Sequence, residues 1–176
     1  MSDVHDMDAE AVIRTVVAYH TAARAAVAAA LGHDVYGISV HDGGDGVSHR
    51  PPGDDQRDPD IELVILVAGT CAERKLASLV SGALESWPGD RDADIWLDTL
   101  RDLESGALVY QPDADGCWPD NDALALAWIL GGTPDCERRR KLDDGRRGAE
   151  EILARDWGDV TAIAGCLGAR LSRQPS

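Results

Sequence analysis

Phenylalanine is absent from this 176-residue chain, and lysine occurs only at Lys75 and Lys141. Five tryptophans, Trp87, Trp96, Trp118, Trp128 and Trp157, are left to supply the large aromatic anchors of a core. Positive charge is also scarce. Seventeen Lys and Arg face 32 Asp and Glu, for a formal charge of −15. Binding to a phosphate backbone or an anionic lipid surface draws mainly on cationic side chains, so this balance argues against both partners. The acids are mostly Asp and the bases almost all Arg, a composition typical of high-GC or salt-adapted coding. No apolar run reaches membrane-spanning length, because the longest, Thr15 to Leu31, is interrupted by His20, Thr21 and Arg24. The stretch Met1 to Glu10 is acidic rather than basic, unlike a secretion signal. Cys71, Cys117, Cys136 and Cys166 form no C-x-x-C pair, which leads us to expect reduced thiols in a cytoplasmic protein. There is no G-x-x-x-x-G-K-[ST] for ATP, no G-x-S-x-G for a serine nucleophile, and no internal repeat.

What is present reads as one mainly helical (α+β) domain. Val12, Ile13, Val16, Val17, Ala23, Val27 and Leu31 recur at helical spacing, predicting a helix over Asp8 to Leu31 that stops at Gly32. Val35 to Val40 is short and β-branched, and reads as a strand. His41 to Asp60, rich in Gly, Pro and Asp, reads as a mobile acidic loop with room for a short return strand around Val47. Helices are then expected over Ile61–Val80, Asp90–Glu104, Asn121–Leu130, Cys136–Asp156 and Asp159–Ser172. A short extended piece at Ala107–Tyr110 and a turn-rich loop at Gln111–Asp120 lie among them. Residues 1–10 and 173–176 read as tails around a single domain over 11–172. The run Arg138-Arg139-Arg140-Lys141, followed by Asp143, Asp144, Arg146 and Arg147, reads as a solvated helix face with local ion pairs.

The chemistry-bearing segment is Ala18-Tyr19-His20-Thr21-Ala22-Ala23-Arg24-Ala25. In a zinc peptidase, H-E-x-x-H places two imidazoles one helical turn apart to chelate the metal, and the Glu activates its bound water. Here the frame is H-T-x-x-R. His20 holds the first ligand position, Thr21 the place of the base, and Arg24 the place of the second imidazole. A lone histidine on an apolar helix is also what a hydrogen-bonded core residue looks like. His33, His41 and His49 follow in the chain, and their spacing matches no standard metal pattern.

The order of motifs resembles the peptidase domain of the FtsH/paraplegin type of ATP-dependent zinc metalloproteases. That family's helix reads A-Y-H-E-A-G-H-A before a V-S-I strand; this chain has the segment above and then Ile38-Ser39-Val40. The family's L-L-A-G-x-x-A-E is matched by Leu66-Val67-Ala68-Gly69-Thr70-Cys71-Ala72-Glu73, and its S-G-A by Ser81-Gly82-Ala83. Ala149-Glu150-Glu151-Ile152-Leu153 through Leu171 is similar to its closing helix pair. The resemblance spans Val12 to Leu171 and is nearest to short, stand-alone relatives of that domain. It implies an acidic third zinc ligand after S-G-A. Ungapped alignment offers only Ser86, and gapped alignment offers Asp90, Asp92 or Asp94. Asp92 is preferred, because Ile95 and Trp96 place it on an apolar face.

The departures decide the expected function. Loss of the Glu removes general-base catalysis worth about 10²–10⁴-fold. An arginine has no lone pair to give a metal and stays cationic. The expectation is therefore a catalytically inactive, peptidase-like domain that serves as a binding or scaffolding module. No cofactor is expected in place of the family's zinc. A protein or peptide is the expected partner, with no nucleic acid, membrane or ATP. Arg24 is expected to stand in for the metal and pair with Asp92. The alternatives are an ATP-independent zinc hydrolase using His20, Asp92 and a further ligand, and a partner-regulated module of a specialised gene cluster.

Overall fold

A computed structural model of the chain describes residues 9–41, 44–53, 57–81, 97–98, 100–102, 105, 125–126 and 129–171. The fold is mainly helical, with one small antiparallel sheet after the first helix. The elements are α1 (Ala9–Ala30), β1 (Asp34–His41), β2 (Gly44–Arg50), α2 (Pro59–Ser81) and α3 (Asp135–Leu171). The three helices pack on one another, and the hairpin lies against α1. No described helix is long and apolar enough to cross a membrane.

Alanine dominates α1 and favours helix intrinsically. It also sets how closely the helices approach. Ala22, Ala23 and Ala28 of α1 and Ala68 and Ala72 of α2 are completely buried. Between them sit the branched residues Val27, Leu63, Ile65 and Val67, joined from α3 by Leu142, Leu153 and Val160. Leu100, Leu126 and Leu130, from the described helical residues that precede α3, complete this core. Gly145 and Gly148 read in the sequence as soft interruptions of a helix. They lie instead within α3, facing α2, and a Cβ at Gly145 would come to 3.0 Å from Leu63 Cγ.

Helix α1 ends as the sequence predicts. Gly32 takes a left-handed φ of 84°, its N–H donates to the Ala29 carbonyl, and the His33 N–H donates to Ala28. This Schellman closure satisfies the last carbonyls and launches β1. Helix α2 opens with an equally local device. Asp58 accepts from the Asp60 N–H at 2.9 Å, and Pro59 occupies the first helical position, where an N–H would have no use.

Within the segment 41–60 the return strand expected around Val47 is present: β2 occupies Gly44–Arg50 and pairs with nearly the whole of β1, so the loop is shorter than expected. The polar composition concealed the strand's length, since only Val47 among these residues carries an aliphatic side chain larger than methyl. A register shift between Val35 and Gly37 inserts Tyr36, which projects into solvent. The bulge resets the alternation, so Val35, Ile38 and Val40 all pack against the core.

The two expected C-terminal helices are joined in α3. Asp156 departs from helical geometry (φ −106°, ψ 20°), next to the expected break. The Leu153 carbonyl beside this kink accepts from Lys75 Nζ at 3.2 Å, and the same ammonium lies 4.4 Å from the Trp157 ring centre. Lys141 reaches the other way, to Asp60 at 2.7 Å. Both lysines of the chain thus tie α2 to α3. The expectations for Asp90–Glu104, Ala107–Tyr110, Gln111–Asp120 and Asn121–Leu130 fall wholly or largely outside the described residues, as do Trp87, Trp96, Trp118 and Trp128.

Candidate functional site

Helices α1 and α2 run antiparallel, so the middle of α1 meets the second half of α2. There His20 is buried, with 9 % of its surface exposed. Its Nδ1 lies 2.6 Å from Glu73 Oε1. A carboxylate only accepts, so the imidazole donates its Nδ1 proton. The rest of the ring lies flat on Gly69, where an added Cβ would overlap Nε2, Cε1 and Cδ2. Gly69 and Glu73 are one turn apart on α2, so a single helical face supplies both the notch and the acceptor.

Thr21 is completely buried, and its hydroxyl donates to the Val17 carbonyl at 2.9 Å. Arg24 is half-buried one turn beyond His20, and its field reaches His49 of the hairpin. Asp92, the expected partner of Arg24 and third ligand, lies outside the described residues, as do Ser86, Asp90 and Asp94.

A second polar cluster lies at the far end of the α1–α2 pair. His33, placed by the α1 cap, and His49 of β2 approach Nδ1 to Nδ1 at 2.9 Å, and both are 6 % exposed. Glu62, in the first turn of α2, is 7 % exposed. Its Oε1 is 4.0 Å from His33 Nδ1, and its Oε2 is 3.7 Å from His49 Nε2. Arg57 spans the edge, donating to Glu62 Oε2 at 3.3 Å and to the His49 carbonyl at 2.9 Å. Burial first, then the positive fields of Arg57, His33 and Arg24, push His49 down to about 4 from its usual 6.5. This ring is therefore neutral at pH 7. Among the described residues, His33, His49 and Glu62 are the group whose donor atoms converge within 4.8 Å, as a metal site requires.

Of the expected histidines, then, the fold unites His33 with His49, leaves His20 with Glu73, and gives no placement for the side chain of His41. Sequence reasoning missed Glu62 and Glu73 as partners. Glu73 had a signal, since it shares a helix face with Gly69 in the quoted L-V-A-G-T-C-A-E. Glu62 had none, because its neighbours arrive through hairpin pairing.

The remaining candidates are structural. Arg138 is buried and donates to the Thr133 carbonyl at 2.9 Å, while Arg140 and Arg147 pair with Glu137 and Asp144 one turn back. Cys71, Cys136 and Cys166 are free thiols, and burial pushes Cys71 up to about 12. In comparisons with known proteins, the chain matches no family model and no curated protein.

Proposed function

We propose that this chain is a non-catalytic, metallopeptidase-like domain that acts as a cytoplasmic binding or scaffolding module for a protein or peptide. The supporting observation is the seating of His20. Its Nδ1 is committed to Glu73 and its ring to the Gly69 notch, at the interface of α1 and α2. Hydrolysis at this helix would require an open metal position, a carboxylate base and a second neutral ligand. The corresponding side chains are a packed imidazole, a threonine bonded to its own helix, and a guanidinium. The hydrolase alternative, with His20 and Asp92 as ligands, would have to lift the ring off Gly69 first.

A binding role draws support from apolar side chains left in solvent. Ile13 of α1 is 62 % exposed and Leu79 of α2 is 65 % exposed, and both sit at the same end of the antiparallel pair. The free thiols fit a reducing compartment. The test is hydrolysis of unstructured peptides by the purified chain, with and without added zinc, against His20→Ala. No turnover is expected from either. Zinc-dependent cleavage that disappears in His20→Ala would overturn the reading.

A further inference from the structure

The cluster at the far end of α1 and α2 has no part in that proposal. We infer that His33, His49 and Glu62 form a binding site for one divalent transition-metal ion of the zinc class, held to fasten the hairpin to the helices.

The donor set is the first reason. Two imidazoles and one carboxylate suit zinc-type ions, whereas magnesium and calcium call for oxygen donors. Geometry is the second. A tetrahedral ion with ligand bonds of 2.0–2.1 Å sets its donors about 3.3 Å apart. His33 Nδ1 lies 2.9 Å from His49 Nδ1 and 4.0 Å from Glu62 Oε1, which bracket that separation. His49 meets Glu62 through Nε2 and Oε2 at 3.7 Å, and each of the three residues has a donor within 4.8 Å of the others, so side-chain rotation is what brings them onto one ion.

The third reason is an unmet demand. Glu62 Oε1 is fully buried and accepts no hydrogen bond. Leaving a buried carboxylate oxygen unsatisfied is costly, and here it lies 4.0 Å from His33 Nδ1. The other oxygen, Oε2, is occupied by Arg57. Such a contact orients a ligating carboxylate from outside the coordination shell. Arg57 and Arg24 add positive charge nearby, which weakens the site without removing its donors.

Coordination also resolves the imidazole pair. Two Nδ1 atoms at 2.9 Å share one proton between them. On metal binding, that proton moves to the Nε2 of the same ring, and both Nδ1 lone pairs turn to the ion. The three ligands come from the α1 cap, β2 and the start of α2, so one ion crosslinks three elements. All three ligands are buried, and water would complete a four-coordinate shell.

The experiment uses the full chain, stripped by a chelator and then titrated with Zn²⁺ calorimetrically and with Co²⁺ by visible absorption. One equivalent is expected to bind, with the intense d–d bands of a four-coordinate Co²⁺ site and a raised Tm. Glu62→Gln, which preserves shape, is expected to weaken binding by at least about tenfold, with far-UV circular dichroism unchanged. Imidazole NMR of the unsubstituted chain provides a readout free of folding effects. The ring nitrogens of His33 and His49 are expected to shift on Zn²⁺ addition and those of His20 to stay. His20→Gln is expected to bind Zn²⁺ normally, which separates this site from the peptidase-like helix. Absence of saturable uptake, or uptake that leaves the His33 and His49 resonances in place, overturns the assignment.

Discussion

His20 of α1 donates through Nδ1 to Glu73 of α2 across a separation of 53 residues, at 2.6 Å. The side chains are 11 % and 23 % exposed, so the contact is largely shielded from water. A hydrogen bond to a charged group in such a place contributes about 1.5–3 kcal/mol. A double-mutant cycle with His20→Ala and Glu73→Gln is expected to return a coupling of about 1 kcal/mol or more from urea unfolding. Strict additivity would mean that the two side chains act independently.

The Gly69 notch is a steric statement that the same assay can read. A methyl group there would overlap the His20 ring, whose retreat would break its bond to Glu73. Gly→Ala inside a helix ordinarily stabilises by up to about 1 kcal/mol. Here overpacking opposes that gain, and Gly69→Ala is expected to destabilise by about 1–3 kcal/mol. Gly158→Ala, where the added Cβ meets nothing within 4 Å, is the matched control. Equal effects of the two substitutions would remove the notch from the argument.

These contacts show which parts of the structure could be read from residue order. The described long helices were legible because apolar spacing and the Gly32 stop are local signals, whereas the start of α2 at Pro59, two residues before the expected Ile61, went unread. The kink near Asp156 was legible from the change in pattern around it. The hairpin was half legible. β1 announces itself through Val35, Ile38 and Val40, whereas β2 carries Gly44, Gly46 and Asp45 and exists because β1 offers it hydrogen-bonding partners. Of the cluster of His33, His49 and Glu62, the two histidines could be singled out by residue type, but neither their pairing nor Glu62 could be read. The cluster's members are separated by loops whose closure depends on the strand register and the α1 cap. The identity of His20 as the residue to watch was legible, and its partner emerged only when α2 was docked.

The chemistry of Cys71 follows from the same close packing. A thiol pushed up to about 12 stays protonated at pH 8 and is a poor nucleophile. Iodoacetamide labelling of the native chain, read by peptide mass spectrometry, is expected to modify exposed Cys136 and Cys166 well before Cys71. Denaturation is expected to remove the difference. Equal native rates would show that α2 does not bury this thiol.

The acid response of the metal-free protein depends on His49. Its folded-state value of about 4 lies below the ordinary 6.5, so between these values the unfolded chain binds the proton first. The penalty is absent above 6.5, grows as pH falls towards 4, and is constant below. The slope in that window is at most about 1.4 kcal/mol per pH unit and is reduced by any solvent reaching the ring. Arg57, Arg24, His33 and Glu62 all face this group, so the informative quantity is the difference between the parent and His49→Gln. The parent is expected to lose more stability between about pH 7 and about pH 5 in urea titrations. Parallel curves would show that His49 is protonated as easily in the fold as out of it.

Building H-E-x-x-H into α1 tests whether this helix can present a metal to a substrate. Thr21 lies wholly inside the protein, with its hydroxyl bonded to the Val17 carbonyl, so Thr21→Glu would force a larger, charged side chain into packed space. Arg24→His alone changes a half-buried position and is expected to be mild. The double variant is expected to lose about 2 kcal/mol or more of stability, nearly all of it from Thr21→Glu, and to gain no zinc-dependent peptide cleavage. If it instead folds as well as the parent and cleaves peptides, the helix retains an open catalytic face, and the packing of His20 on Gly69 is only one of its resting positions.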